Sequence, residues 1–269
     1  MLPFAIATSP LWAQAHGGAV PKSLIEGESP GQHGPRKPYG PRSGQIGGKS
    51  ISDVKTFMSN NWSGYAVIGS DFTQVRGSWI VPAVDCSGAA NSSVSFWVGI
   101  DGWSSSTVEQ TGTDSDCDGL TPTYYAWYQF YPRLGVTIAS VSVKPGDQMS
   151  ASVYYDGAKF FIEMTNQSTG ESYGTSWEVP GAERNSAEWI AELNGSYGLA
   201  DFGTVPFGVD FTGVNETNTA ADATASGPIG AFEKQVQESV MVSDRNVLLA
   251  SPSSISADGT SFTVTWMSR

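Results

Sequence analysis

From Asn61 to the C-terminus the chain is written in short runs whose apolar and polar residues alternate with a period of two. Turn-forming Gly, Pro, Asn and Asp interrupt the runs roughly every 8 to 15 positions. A period of two places alternate side chains on opposite faces of an extended strand and cannot build the apolar stripe of a helix. The runs include WSGYAVIGS (62–70), TQVRGSWIVP (73–82), SFWVGID (95–101), TYYAWYQFYP (123–132) and ASVSVK (139–144). SASVYY and AKFFIEM flank Asp156-Gly157, a pair that tolerates the positive φ of a type I′ hairpin turn. SYGTSWEV, SAEWIAEL, TVPFGVDF, KQVQESVMV and SFTVTWM follow, and no segment keeps a helical period over three turns. With 31 glycines, 12% aromatic and only 15% charged residues, the pattern predicts an all-β fold. Two stacked antiparallel sheets, a β-sandwich of jelly-roll or concanavalin type, bury one face of each sheet.

The N-terminal region has a different character. Residues 1–15, MLPFAIATSPLWAQA, carry no charge and close on Ala13-Gln14-Ala15, the pattern of a secretory signal without its usual basic start. Residues 16–55 are rich in Gly, Pro and Ser and hold six Lys or Arg against three carboxylates, whereas 56–269 keep the remaining eight basic and 23 of the 26 acidic residues. A cationic, largely unstructured leader thus precedes an anionic domain. It reads as a pro-segment that docks on the domain as its inhibitor, in a secreted, extracellular protein expected to be a monomer. No later stretch holds the roughly 18 to 20 unbroken apolar residues that cross a membrane as a helix. Cys86 and Cys117, an even pair in an exported chain, are expected to form one disulfide.

Much chemistry is excluded. The net charge of −12 leaves no basic stripe to displace the counterions of a nucleic acid. Both histidines, His16 and His33, lie in the leader, so a processed domain has no imidazole for Ser-His-Asp, Cys-His or HExxH sites. There is no Asp-Thr-Gly or Asp-Ser-Gly triplet and no phosphate-binding glycine motif. Asp114, Asp116, Asp118 and Gly119 mimic the start of an EF-hand loop, but the twelfth position is Tyr125 rather than Glu and no helices flank it. No metal or other cofactor is called for. Carboxylates and amides remain. In SAEWIAE, Ser186, Glu188, Ile190 and Glu192 share one face of a strand, and the two glutamates stand about 13 Å apart.

NWSGYAV (61–67), FWVGIDG (96–102), VEQTG (108–112), YYAWYQFYP (124–132), SAEWIAE and TVPFGVDF, in this order, resemble the glutamic peptidases, or eqolisins, over about 200 residues. The resemblance implies a sandwich of two bent antiparallel sheets with a peptide-binding groove on the concave face. It also implies a catalytic glutamine and glutamate, which by motif fall on Gln110 and Glu192. Trp97, Asp101, Asp114, Trp127 and Tyr131 carry over as groove residues that bind polypeptide substrates. Family members often have Asp where this chain has Tyr125. A glutamate base stays usable in acid, where an imidazole would be protonated, and an amide donor is indifferent to pH. An acid-acting endopeptidase is therefore expected. A carbohydrate-binding module or a glycoside hydrolase would suit the same sandwich, although the latter needs a carboxyl pair about 5 to 9.5 Å apart, and Glu192 has no evident partner for one.

Overall fold

The computed structural model describes His33 and residues 54–195, 198–208 and 218–268. The signal expected in residues 1–15 and most of the leader lie outside the described residues. Within them the chain forms two layers of strands, as the alternation requires. The first runs, in spatial order, through Lys55–Ser59, Val236–Val242, Trp62–Ile68, Ser186–Glu192, Ser95–Ile100, Val108–Asp118 and Thr121–Tyr131. Only its first pairing is parallel. The second runs through Glu171–Trp177, Phe160–Asn166, Gln148–Tyr155 and Gln74–Ile80, then passes by way of Phe207 to Thr204–Phe207, Phe262–Trp266 and Leu248–Pro252. Leu248–Pro252 also pairs with Val236–Val242, so the layers are stitched together along one side.

Strand parity divides the apolar residues into two clusters. Tyr65, Val67, Phe96, Val98, Trp189 and Ala191 point between the layers into the main core. The alternate positions Trp62, Ala66, Trp97, Val108, Trp127 and Ile190 form a second cluster on the other face of the first layer. This explains why all seven residues of Ser186–Glu192 are buried: Ala187, Trp189 and Ala191 serve the core, and Ser186, Glu188, Ile190 and Glu192 face a covered groove.

Three segments differ from the sequence expectation. ASVSVK (139–144) forms no strand; side chains of Glu171 and Asn166 take up the Ser142 amide and carbonyl that a ladder would have used. VEQTGTDSDCD, whose end mimics the start of an EF-hand loop, is an eleven-residue strand in which Gln110, Gly112, Asp114 and Asp116 share a face. Lys55–Ser59 is an edge strand among the described residues, and it crosses the expected boundary at residue 56. Cys86 and Cys117 are joined in a disulfide, as expected.

Candidate active site

The register of five strands lays the groove face out in rows. Ala66, Glu188, Gly99, Gln110 and Gln129 stand level across neighbouring strands. The next row is Gly64, Ile190, Trp97, Gly112 and Trp127, and the one beyond it Trp62, Glu192, Ser95, Asp114 and Tyr125. Residues level with one another project from the same face. Gln110 and Glu188 are two strand spacings apart, about 10 Å between Cα atoms, whereas Glu192 lies four residues further along, about 16 Å from Gln110. The structure thus brings Gln110 to Glu188, and Glu192 to Asp114.

Glycines keep the floor open between these groups. Gly99 separates Glu188 from Gln110, and a Cβ on it would lie 3.0 Å from Gln110 Cβ and 3.0 Å from the Trp97 ring. A side chain there would fill the space over which the glutamate and the amide face each other. Gly112, between Trp97 and Trp127, packs so closely that a Cβ would collide with the Phe96 carbonyl.

The amide of Gln110 is oriented by its neighbour. Gln129 donates to the Arg133 carbonyl at 2.7 Å, which turns its own oxygen toward Gln110, and Gln110 Nε2 donates to that oxygen at 3.0 Å. The second Nε2 hydrogen and Oε1 are left to the groove, and Oε1 has no partner among the described residues. The Glu188 oxygens make no hydrogen bond of good geometry among the described residues either, with the Ser186 side chain as their polar neighbour. Burial raises the Glu188 pKa well above the usual carboxylate range, Ser186 partly offsets this, and Asp101 and Glu109 reinforce it. Glu109 lies behind Gln110 on the same strand and is raised for the same first cause, burial, with Asp101 adding repulsion.

Around this pair the indole N–H groups of Trp62, Trp97 and Trp127 are buried with no acceptor among the described residues. Trp62 and Trp97 meet edge to face at 4.9 Å, and the half-buried Tyr131 packs at the rim. Such donors, left unmatched in a dry site, cost about 1 to 3 kcal/mol each. A groove lined with them is complementary to a ligand rich in carbonyl oxygens, such as a peptide backbone.

The third row is a connected polar network. Ser95 donates to Asp114, and Tyr125 donates to both Asp114 at 2.7 Å and Asp116 at 3.0 Å. Asn194 bonds Ser95 and Asp114, and Asn61 bonds Glu192 at 3.3 Å. Asp114 is pushed well above its usual range by burial first and Asp116 second, and Asp116 up to about 6, chiefly by burial. The tyrosine at position 125 is thus the donor that holds the two aspartates together.

Asp101 sits elsewhere. Its oxygens accept from the backbone N–H of Glu183, Arg184 and Asn185, each at 2.9 Å, and from Thr107. It anchors the turn leading into Ser186–Glu192. Ser95, Gln129, Asn61 and Asn194 were not singled out in the sequence; only strand register could have found the first two.

The two-layer sandwich thus sets a buried glutamate level with an oriented glutamine amide in an aromatic groove. Residues 60–264 match the model of the Peptidase A4 family, and the chain belongs to that family; it is a glutamic endopeptidase. It is similar to aspergillopepsin-2 of Aspergillus niger, 29% identical over 271 residues that cover 90% of each chain. It is also similar to scytalidopepsin B of Scytalidium lignicola, 31% identical over 190 residues covering 65% of this chain and 71% of that one. Among solved structures, scytalido-glutamic peptidase with a transition state analog inhibitor superposes with a TM-score of 0.64 at 24% identity, covering 77% of this chain and 98% of that one.

Proposed function

We propose that the chain hydrolyses polypeptides in acid with Glu188 as general base and Gln110 as oxyanion donor. The observation that carries this reading is the register that sets Glu188, Gly99 and Gln110 level across three strands. It replaces the motif-based pairing of Gln110 with Glu192. In the intact chain burial keeps Glu188 protonated; removal of the leader opens the groove to water and lets Glu188 ionise, and the carboxylate then takes a proton from water as the water oxygen attacks the scissile carbonyl carbon. The carbonyl oxygen gains the electron pair and is held by the free Nε2–H of Gln110, whose other hydrogen is fixed on Gln129. The tetrahedral intermediate collapses, the C–N bond breaks, and Glu188 returns its proton to the leaving amine. The unmatched indole N–H groups of Trp62, Trp97 and Trp127 would receive substrate carbonyls. Under this reading Trp97, Trp127, Tyr131 and Asp114 line the substrate path, and Asp101 acts by positioning the Ser186–Glu192 strand.

The leader acts as the inhibitor of this site. Its His33 is buried in the groove against Trp127, and its excess of basic residues is opposite in sign to the strongly acidic domain. Residues 1–15 direct export, in keeping with a disulfide that an oxidising compartment maintains. The carbohydrate reading is not favoured by any of the relatives.

The test is digestion of denatured casein at pH 2 to 7 by the purified chain, with Gln110→Ala and Cys86→Ser as comparisons. Peptide release confined to acid and lost in Gln110→Ala is the expected result. Unchanged cleavage by Gln110→Ala would refute the mechanism.

A further inference from the structure

The backbone ladder that stitches the two layers runs through Val236–Val242 and Leu248–Pro252. At the far end of each layer, Thr121–Tyr131 and Glu171–Trp177 meet through side chains instead. Tyr128 stacks on Tyr173 with centroids 5.5 Å apart. In the turn that follows Thr121–Tyr131, the Arg133 guanidinium lies 3.9 Å over the Trp177 ring. Trp177 is 48% exposed, too open for core packing to account for a tryptophan at this position. The backbone carbonyl of the same Arg133 accepts from Gln129 Nε2 at 2.7 Å, and Gln129 Oε1 accepts from Gln110 Nε2 at 3.0 Å.

We propose that Arg133 and Trp177, on the far edge of the sandwich and outside the groove, are positioning residues for the reaction. Their stack fixes the carbonyl that decides which end of the Gln110 amide faces the scissile bond. The inference rests on the peptidase reading above and adds to it a control exerted from the second layer.

The two ends of a carboxamide have nearly the same shape, so hydrogen bonding alone tells them apart. Gln129 is buried and its Nε2 needs an acceptor, which the Arg133 carbonyl supplies. With that carbonyl in place, Gln129 turns Oε1 to Gln110, and Gln110 answers with Nε2. Were the carbonyl to swing away, Gln129 could turn over and present Nε2, and Gln110 would answer with Oε1. Donor and acceptor would then exchange places beside the scissile carbonyl, and the hydrogen meant for the oxyanion would point elsewhere.

The turn has little packing of its own to prevent this. It closes with the Arg133 N–H on the Phe130 carbonyl at 3.0 Å, and Pro132 and Leu134 on either side of Arg133 are exposed. The Arg133 side chain is what ties it to the second layer. A planar guanidinium suits the task, because it lies flat on an indole face and stays charged at any working pH.

The test measures kcat and KM for acid hydrolysis of a peptide by Trp177→Ala, Trp177→Phe, Gln129→Leu and the Gln129→Leu, Trp177→Ala double variant of the purified chain, with urea unfolding in parallel. Trp177→Ala should lower kcat about two- to fivefold, the factor that an exposed cation–π contact can supply, with KM within about twofold. Trp177→Phe, which keeps a ring face, should restore kcat. Gln129→Leu should lower kcat about tenfold or more, and in that background Trp177→Ala should have no further effect. An unchanged kcat in Trp177→Ala, a loss as large in Trp177→Phe, or a loss that multiplies in full with that of Gln129→Leu would each overturn the proposal. A second readout needs no bond cleavage. At pH 7 the side-chain amide hydrogens of Gln110, assigned by their absence from the spectrum of Gln110→Ala, should exchange with solvent faster in Trp177→Ala than in the parent chain. Unchanged exchange would overturn the relay, whereas faster exchange in a protein whose Gln110→Ala variant still digests casein would overturn the peptidase mechanism alone.

Discussion

Raising the pH should destabilise the intact chain, the reverse of the behaviour of a protein held by surface ion pairs. Glu109, Glu188 and Asp114 have folded-state pKa values raised by burial, so the folded form keeps protons that the unfolded chain gives up above about pH 4. A group raised in this way contributes stability that is present in full below its unfolded pKa and lost as pH rises through the folded one. Buried His33 opposes them: burial lowers it to about 3, so unfolding takes up a proton between that value and about 6.5. Near pH 5, three carboxyl protons released against one taken up leave a net loss of two on unfolding. Stability then falls by about 2.7 kcal/mol per pH unit, and by about 1.4 if only one carboxyl proton exceeds the histidine's. Asp116, raised to about 6, steepens the fall toward neutrality. The assay is urea unfolding of the Gln110→Ala chain, which cannot digest itself, at pH 4, 5, 6 and 7. His33→Ala should steepen the slope by about one further proton, or about 1.4 kcal/mol per pH unit. Stability that is flat or rises from pH 4 to 7 would refute the claim that these buried carboxyls are neutral in the fold.

Replacing both Cys86 and Cys117 by serine releases a loop with a sequence separation of 31; chain entropy sets the loss at about 3 to 4 kcal/mol, to be read from the urea midpoint. Asp101→Ala strands the backbone N–H groups of three consecutive residues, Glu183 to Asn185, and should cost about 3 kcal/mol or more. A raised KM with unchanged stability would instead make Asp101 a substrate contact. Gly99→Ala puts a methyl between Glu188 and Gln110 and should lower kcat more than tenfold with less than about 2 kcal/mol lost in stability, measured by peptide turnover and urea unfolding in parallel.

The fold was legible because each layer has one face in a common core, so parity appears directly as alternation, as in the SASVYY run, whose Ala151 and Val153 enter the core. Val108–Asp118 was hidden because its groove face, Gln110, Gly112, Asp114 and Asp116, is polar or bare, and a strand with polar residues facing a site does not alternate in hydrophobicity. ASVSVK alternates well yet is not a strand, because Glu171 and Asn166, distant in sequence, satisfy its backbone. Within the site the motifs located Gln110, Trp97, Trp127 and the glutamate strand. They put the catalytic glutamate at Glu192 rather than Glu188; both lie on one face four residues apart, and the choice proposed above rests on which of them stands level with Gln110 across Gly99. The role of His33 was beyond the sequence, because nothing local to an unpatterned leader says where one of its side chains will rest.

The central claim is that Glu188 activates water while Gln110 holds the developing oxyanion. It is tested most directly by kcat/KM for acid hydrolysis of a peptide substrate by Glu188→Gln and Glu192→Gln, after the leader has been removed. Loss of a general base lowers the rate by about 10² to 10⁴, so Glu188→Gln should fall by that factor in kcat, whereas Glu192→Gln should keep kcat within about tenfold and change mainly KM. Full turnover by Glu188→Gln alongside an inactive Glu192→Gln would contradict the account.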